Sequence, residues 1–198
     1  MPSDDEYESM IDEYRDWSQL ADLWEKIKKR DTPGWGEGKA FEYLVLQAFK
    51  LAGGAVHWPY SVELENEIVE QIDGFVHVAG LSCMVETKHT VQKQAVGPIA
   101  KMRNQLLRRH SNTIGLVVSF SGFTEAAVIL AKHIAPQAIL LWSGFEVEEA
   151  IRDRRIVEAL EYKYRRCLEY GLPDLSINRP VPRTGSGTRL ARKEKDAS

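Results

Sequence analysis

Apolar residues recur at helical spacing over residues 4–30, where Met10, Tyr14, Trp17, Ala21, Trp24 and Ile27 form one stripe. That spacing predicts a helix whose stripe needs cover, by default from the core of the domain that follows. Residues 31–38 are rich in turn formers. A second helix is predicted over 38–52, with Phe41, Leu44, Val45, Ala48 and Phe49 buried and Gly53-Gly54 as its stop. Residues 55–60 read as a short strand and 61–67 as a polar connection. Between residues 72 and 88 the period changes to two. Ile72, Gly74, Val76 and Val78 fall on one face and Asp73, Phe75 and His77 on the other, with Ala79-Gly80 as the turn of a hairpin. Residues 96–110 predict a helix with Pro98 in its first turn and Ile99, Met102 and Leu106 toward the core. Lys101, Gln105 and Arg108 then lie on another face. The run 113–120 is apolar throughout, as in a buried parallel strand. Thr124 caps a helix to about residue 134, a strand follows at 137–142, and residues 145–170 are mostly helical with a broken stripe.

The order is helix, helix, strand, hairpin, helix, strand, helix, strand, helix. It predicts an α/β domain with a central mixed β-sheet flanked by helices. Residues 1–35 form a helical extension and 36–177 the main domain. Residues 178–198, rich in Pro, Gly, Ser and basic residues, form a basic tail expected to be disordered.

Composition narrows the class. The chain has 198 residues, 43% hydrophobic and 28% charged, and no apolar run of membrane-spanning length. Its acidic, polar start is unlike a secretory signal. Of two cysteines, Cys83 falls on the core face of a strand, which favours a buried thiol and a reducing, cytoplasmic setting. Net charge is −3, against indiscriminate nucleic-acid binding, but the charge is uneven. Residues 1–16 hold seven Asp or Glu. Residues 87–124 hold none, and carry Lys88, Lys93, Lys101, Arg103, Arg108 and Arg109. A phosphate backbone needs such local positive potential.

The chemistry concentrates on the hairpin. Glu86 and Lys88 are same-face neighbours about 7 Å apart along a strand, and Asp73 can face them from the partner strand. Two carboxylates suit a hard cation such as Mg²⁺, with Mn²⁺ as substitute, and the Thr87 carbonyl offers a third oxygen. Lys88 can hold an attacking water and balance charge on a phosphate. Residues 34–40 lack the spacing and the hydroxyl of a phosphate-binding P-loop. The five histidines do not show zinc spacing; His77 and His89 lie where either could touch substrate.

Asp73, twelve residues, then Glu86-Thr87-Lys88 resembles the PD-(D/E)xK nuclease signature, with Ile72-Asp73-Gly74 in place of Pro-Asp. The segment Gly38-Lys39-Ala40-Phe41-Glu42-Tyr43-Leu44 resembles the G-x-x-F-E-x-L helix of Mrr-type restriction endonuclease-like domains. Residues 115–124 resemble the strand and turn that follow the catalytic hairpin there. Mrr-type proteins often carry Gln where this chain has Glu86. The resemblance implies a restriction-endonuclease-like core and a metal-dependent endonuclease acting on DNA, or on RNA with the same site. It implies metal at Asp73, Glu86 and Thr87, catalysis by Asp73, Glu86 and Lys88, and support from Glu42. Lys93, Lys101, Arg103, Gln105, Arg108 and Arg109 would meet the nucleic acid. Defence against foreign DNA, with recognition supplied by a homodimer or a partner subunit, is the expected setting. The alternative is a non-catalytic binding or assembly subunit.

Overall fold

In a computed structural model that describes residues 2–64, 67–134 and 136–178, the predicted first helix is two helices. α1 (Asp4–Ile11) and α2 (Trp17–Lys29) are separated at residues 12–16. Asp16 makes the break, because its carboxylate accepts the backbone N–H groups of Ser18 and Gln19 and so starts a new helix. Such a cap contributes about 1 kcal/mol. Tyr7, Ile11, Leu20, Leu23, Trp24 and Ile27 are buried in the main core, so the extension completes the domain that follows it.

α3 (Lys39–Leu51) is buried along almost its whole length. β1 (Ala55–His57) is short. The polar connection expected next is instead a hairpin of its own, β2 (Tyr60–Leu64) and β3 (Glu67–Ile72), paired antiparallel as a separate two-stranded sheet. Its sequence alternates, but acidic residues mask the period. The chain then bends at Asp73 into β4 (Gly74–Val78), turns through Ala79 and Gly80, both at positive φ, and returns as β5 (Leu81–Lys88). The bend resets the alternation. Val76 packs toward α3, whereas Ile72, expected on the same face, joins Met84 and Ile99 on the other side of the sheet.

α4 (Gly97–Leu106), β6 (Thr113–Ser119), α5 (Glu125–Lys132) and β7 (Ile139–Ser143) follow. The helical stretch after them is two helices, α6 (Gly144–Arg152) and α7 (Ile156–Tyr170), broken where Arg154 takes a positive φ of 55°. The main sheet has the order β1-β4-β5-β6-β7. β1, β4 and β5 pair antiparallel, and β5, β6 and β7 run parallel. The mixed sheet and flanking helices are those expected from the sequence. Two successive crossovers in the same direction put α4 and α5 on one face. α1, α2, α3, α6 and α7 share the core of the other face. Of residues 178–198 only Asn178 is among those described.

Close approach of α4 to the sheet depends on Gly115 of β6. A Cβ there would lie 2.6 Å from Met102 Cγ. Both residues are in a filled core, so Gly115→Ala forces α4 outward. We expect the substitution to lower the unfolding free energy by about 1–3 kcal/mol, read from the urea midpoint of the purified protein.

Candidate active site

The parallel strands end together, with Lys88 opposite Ser119 and Ser119 opposite Ser143. In open α/β sheets the carboxyl ends of the strands are where backbone groups and loops leave room for a ligand. Asp73 enters this place from the bend before β4, beside Glu86, since Gly74 pairs with Val85. Gly74 lets α3 come close behind the bend; a Cβ there would meet Leu46 at 2.6 Å.

Each carboxylate is fixed by named donors. Asp73 Oδ2 accepts the Thr87 backbone N–H at 2.6 Å and the Thr87 hydroxyl at 3.0 Å. Glu86, with its side chain 1% exposed, accepts Lys88 Nζ at 2.6 Å on Oε1 and Lys101 Nζ at 2.7 Å on Oε2. Lys88 Nζ also donates to the Thr87 carbonyl at 3.1 Å. Glu42, on the first turn of α3, accepts Lys39 Nζ at 2.8 Å.

Burial and a neighbouring negative charge raise Glu42 and Asp73. Burial pushes Glu42 up to about 7, helped by the charge of Asp73 and opposed by Lys39. Asp73 is raised by burial and by Glu86, against the Thr87 hydrogen bonds and Lys88. Burial alone would lower Lys88, but its bond to Glu86 and the charges of Glu86, Asp73 and Glu42 outweigh that and raise it. The electrostatics therefore join Glu42, Asp73, Glu86 and Lys88 in one cluster.

Among the described residues, no three His, Cys, Asp or Glu side chains form a closed metal cluster. The donors do fit a hard cation of the Mg²⁺ kind, which binds through one or two carboxylates and keeps several waters. Asp73 and Glu86 could hold it, with the Thr87 carbonyl. Crowded carboxylates are groups whose mutual repulsion a divalent cation relieves.

The family model of the Mrr_cat restriction endonuclease matches residues 36–151. The chain belongs to the Mrr_cat family. Membership in this branch of the PD-(D/E)xK superfamily makes it a nuclease of the restriction-endonuclease-like type. The match runs from the loop before α3 into α6 and includes every carboxylate of the cluster. A solved structure titled a protein of unknown function, AF1548, is similar at 18% identity and a TM-score of 0.46, covering 67% of this chain and 77% of that one. No curated protein matches.

The other nominated residues of this Mrr_cat chain scatter. Lys93 and Arg103 are exposed. Gln105, expected on the outer face of its helix, is buried at 3% exposure. Arg108 and Arg109 both bind the buried Glu70 of β3 at 2.8 Å. His77 meets Ser82 near the hairpin turn, away from Asp73. His89 packs edge-on to Phe120 with ring centroids 4.7 Å apart. Two features escaped the sequence. One is the side chain and N–H of Thr87 as holders of Asp73. The other is Lys39, whose i,i+3 spacing to Glu42 was the available signal. Among the described residues no helix is long and apolar enough to cross a membrane.

A carboxyl raised in the folded state binds protons that the unfolded chain has released, so its share of stability falls as pH rises between the two values. For Glu42 that window runs from about 4.5 to about 7. In metal-free protein we expect the melting temperature of Glu42→Gln, relative to wild type, to climb by about 2–4 °C across this window. Parallel melting curves for the two proteins would contradict it.

Proposed function

We propose that the chain is a metal-dependent endonuclease that hydrolyses phosphodiester bonds in DNA, in prokaryotic defence against foreign DNA. The observation that carries this reading is the convergence of Asp73, Glu86 and Lys88 through Thr87 at the sheet's carboxyl end. A surface hairpin with an ordinary Glu–Lys pair has no cause to bring three carboxylates together, with Glu42 and Glu86 buried and Asp73 half-buried.

Asp73 and Glu86 would hold Mg²⁺, which would lower the pKa of water and neutralise charge developing on the phosphate. Thr87 keeps the Asp73 carboxylate turned to the site, leaving Oδ1 outside its two hydrogen bonds. Lys88, held as an ammonium by its acidic neighbours, acts as a donor and point charge that orients the attacking water against the phosphorus. Glu42, pushed up to about 7 by burial and by Asp73, would exchange a proton with water beside the site near neutral pH. In-line attack with loss of the 3′-oxygen leaves a 5′-phosphate and a 3′-hydroxyl. Lys93 and Arg103, both exposed, carry the phosphate backbone. Arg108 and Arg109 join them when the substrate displaces Glu70.

Plasmid cleavage with Mg²⁺, Mn²⁺ or EDTA tests the reading. Asp73→Asn and Lys88→Ala should each lower metal-dependent cleavage by at least about 100-fold, with circular dichroism unchanged. Full activity in folded Lys88→Ala removes that lysine from the mechanism. Cleavage of RNA but not DNA moves the substrate, and wild-type protein that binds DNA equally in EDTA and cuts nothing is a binding subunit.

A further inference from the structure

Glu86 has more positive partners than one carboxylate needs. Lys88 from its own strand already satisfies Oε1 at 2.6 Å, yet Lys101 reaches across from α4 to Oε2 at 2.7 Å. The two lysines are not equivalent. The Lys88 side chain is 34% exposed and donates a further bond to the Thr87 carbonyl, which keeps it in place. The Lys101 side chain is 47% exposed and its one hydrogen bond is to Glu86. Its neighbour Met102 is fully buried, so the base of the lysine is fixed while its side chain stays about half exposed up to the contact with Glu86.

Charge in the cluster points the same way. Glu42, Asp73 and Glu86 face Lys39, Lys88 and Lys101, three carboxyl groups against three amines. A divalent cation brought onto Glu86 adds two positive charges beside an ammonium that lies within contact distance of the same oxygen. Repulsion at such range in a buried place is large, and Lys101 is the partner free to swing. The nearest new anion in a working nuclease is the phosphate of the substrate.

Resting on the nuclease reading, we propose that Lys101 is an exchangeable counter-ion: it holds Glu86 in the metal-free protein, yields that oxygen to the divalent cation, and then binds the phosphate undergoing cleavage. Lys101 thus becomes a catalytic residue only in the loaded enzyme, and it links metal binding to substrate binding.

The test is Mn²⁺ titrated calorimetrically into DNA-free wild-type, Lys101→Met and Lys101→Arg proteins, beside plasmid cleavage at saturating Mn²⁺. Removing the competing charge should tighten Mn²⁺ binding by about tenfold in Lys101→Met. Cleavage by the same protein should fall by about tenfold or more. Lys101→Arg, which keeps the charge, should stay within about twofold of wild-type affinity. A merely structural lysine would show the reverse in the first measurement, because a loosened Glu86 binds metal more weakly. Equal or weaker Mn²⁺ binding by folded Lys101→Met, or cleavage at the wild-type rate, overturns the proposal and leaves the nuclease reading standing. No Mn²⁺ binding and no cleavage by any of the three, wild type included, removes both.

Discussion

Burying carboxylates together is the constraint around which this domain is arranged. Glu42, Asp73 and Glu86 come from α3, the bend before β4 and the end of β5; Asp73 raises the cost of charging Glu42, and Glu86 that of charging Asp73. Taking an ion out of water costs several kcal/mol even after relaxation. The protein meets that cost with lysines from three different elements and with the Thr87 N–H and hydroxyl. Lys39 belongs to α3, Lys88 to β5 and Lys101 to α4, and the Lys101–Glu86 pair ties α4 to the central strand of the sheet.

The backbone serves the same end. Gly74 and Gly115 remove side chains where α3 and α4 must approach the sheet. Helices set further out would leave Glu42 and Lys101 short of the strand ends. The bend at Asp73 turns one carboxylate inward while β3 leaves to pair with β2. At the opposite end of α4, Glu70 of β3 takes both Arg108 and Arg109, so the small hairpin is pinned to the main domain by a second buried carboxylate. At the outer strand, the chain after α7 folds back so that the Pro173 carbonyl accepts the Leu141 N–H. Lys163, fully buried, joins Glu146 and the Leu175 carbonyl beneath it. This cover keeps an edge of the sheet from presenting open hydrogen-bonding groups.

The positive stretch between residues 87 and 124 takes on a different meaning in three dimensions. Counted along the chain it is six unopposed bases. In the fold, Lys88 and Lys101 answer Glu86, and Arg108 and Arg109 answer Glu70, an acid from outside the stretch. Much of the charge that looks available to a phosphate backbone is therefore engaged internally. Lys93 and Arg103 remain on the surface.

Local pattern was enough for much of this protein. The hairpin turn at Ala79-Gly80, the buried run of β6, the cap at Thr124 and the spacing from Asp73 to Lys88 are written in neighbouring residues, where periodicity and turn chemistry act over a few positions. The order of elements then led to the α/β class, and the motif order to the family. The failures arose where local rules compete or run out. Asp16 and Arg154 divide stretches that read as single helices, because a cap or a positive φ at one residue overrides periodicity. The β2–β3 hairpin was hidden because its acidic residues resemble a loop until a partner strand is present. Gln105 sits where helical spacing cannot distinguish a half-turn toward solvent from one toward β6. Which lysine meets Glu86, and that Glu70 holds two arginines, depends on contacts between residues 15 to 39 positions apart. Sequence determines which charges exist and how each element would fold alone. Only tertiary packing, by excluding water from particular carboxylates, decides which charges must find one another.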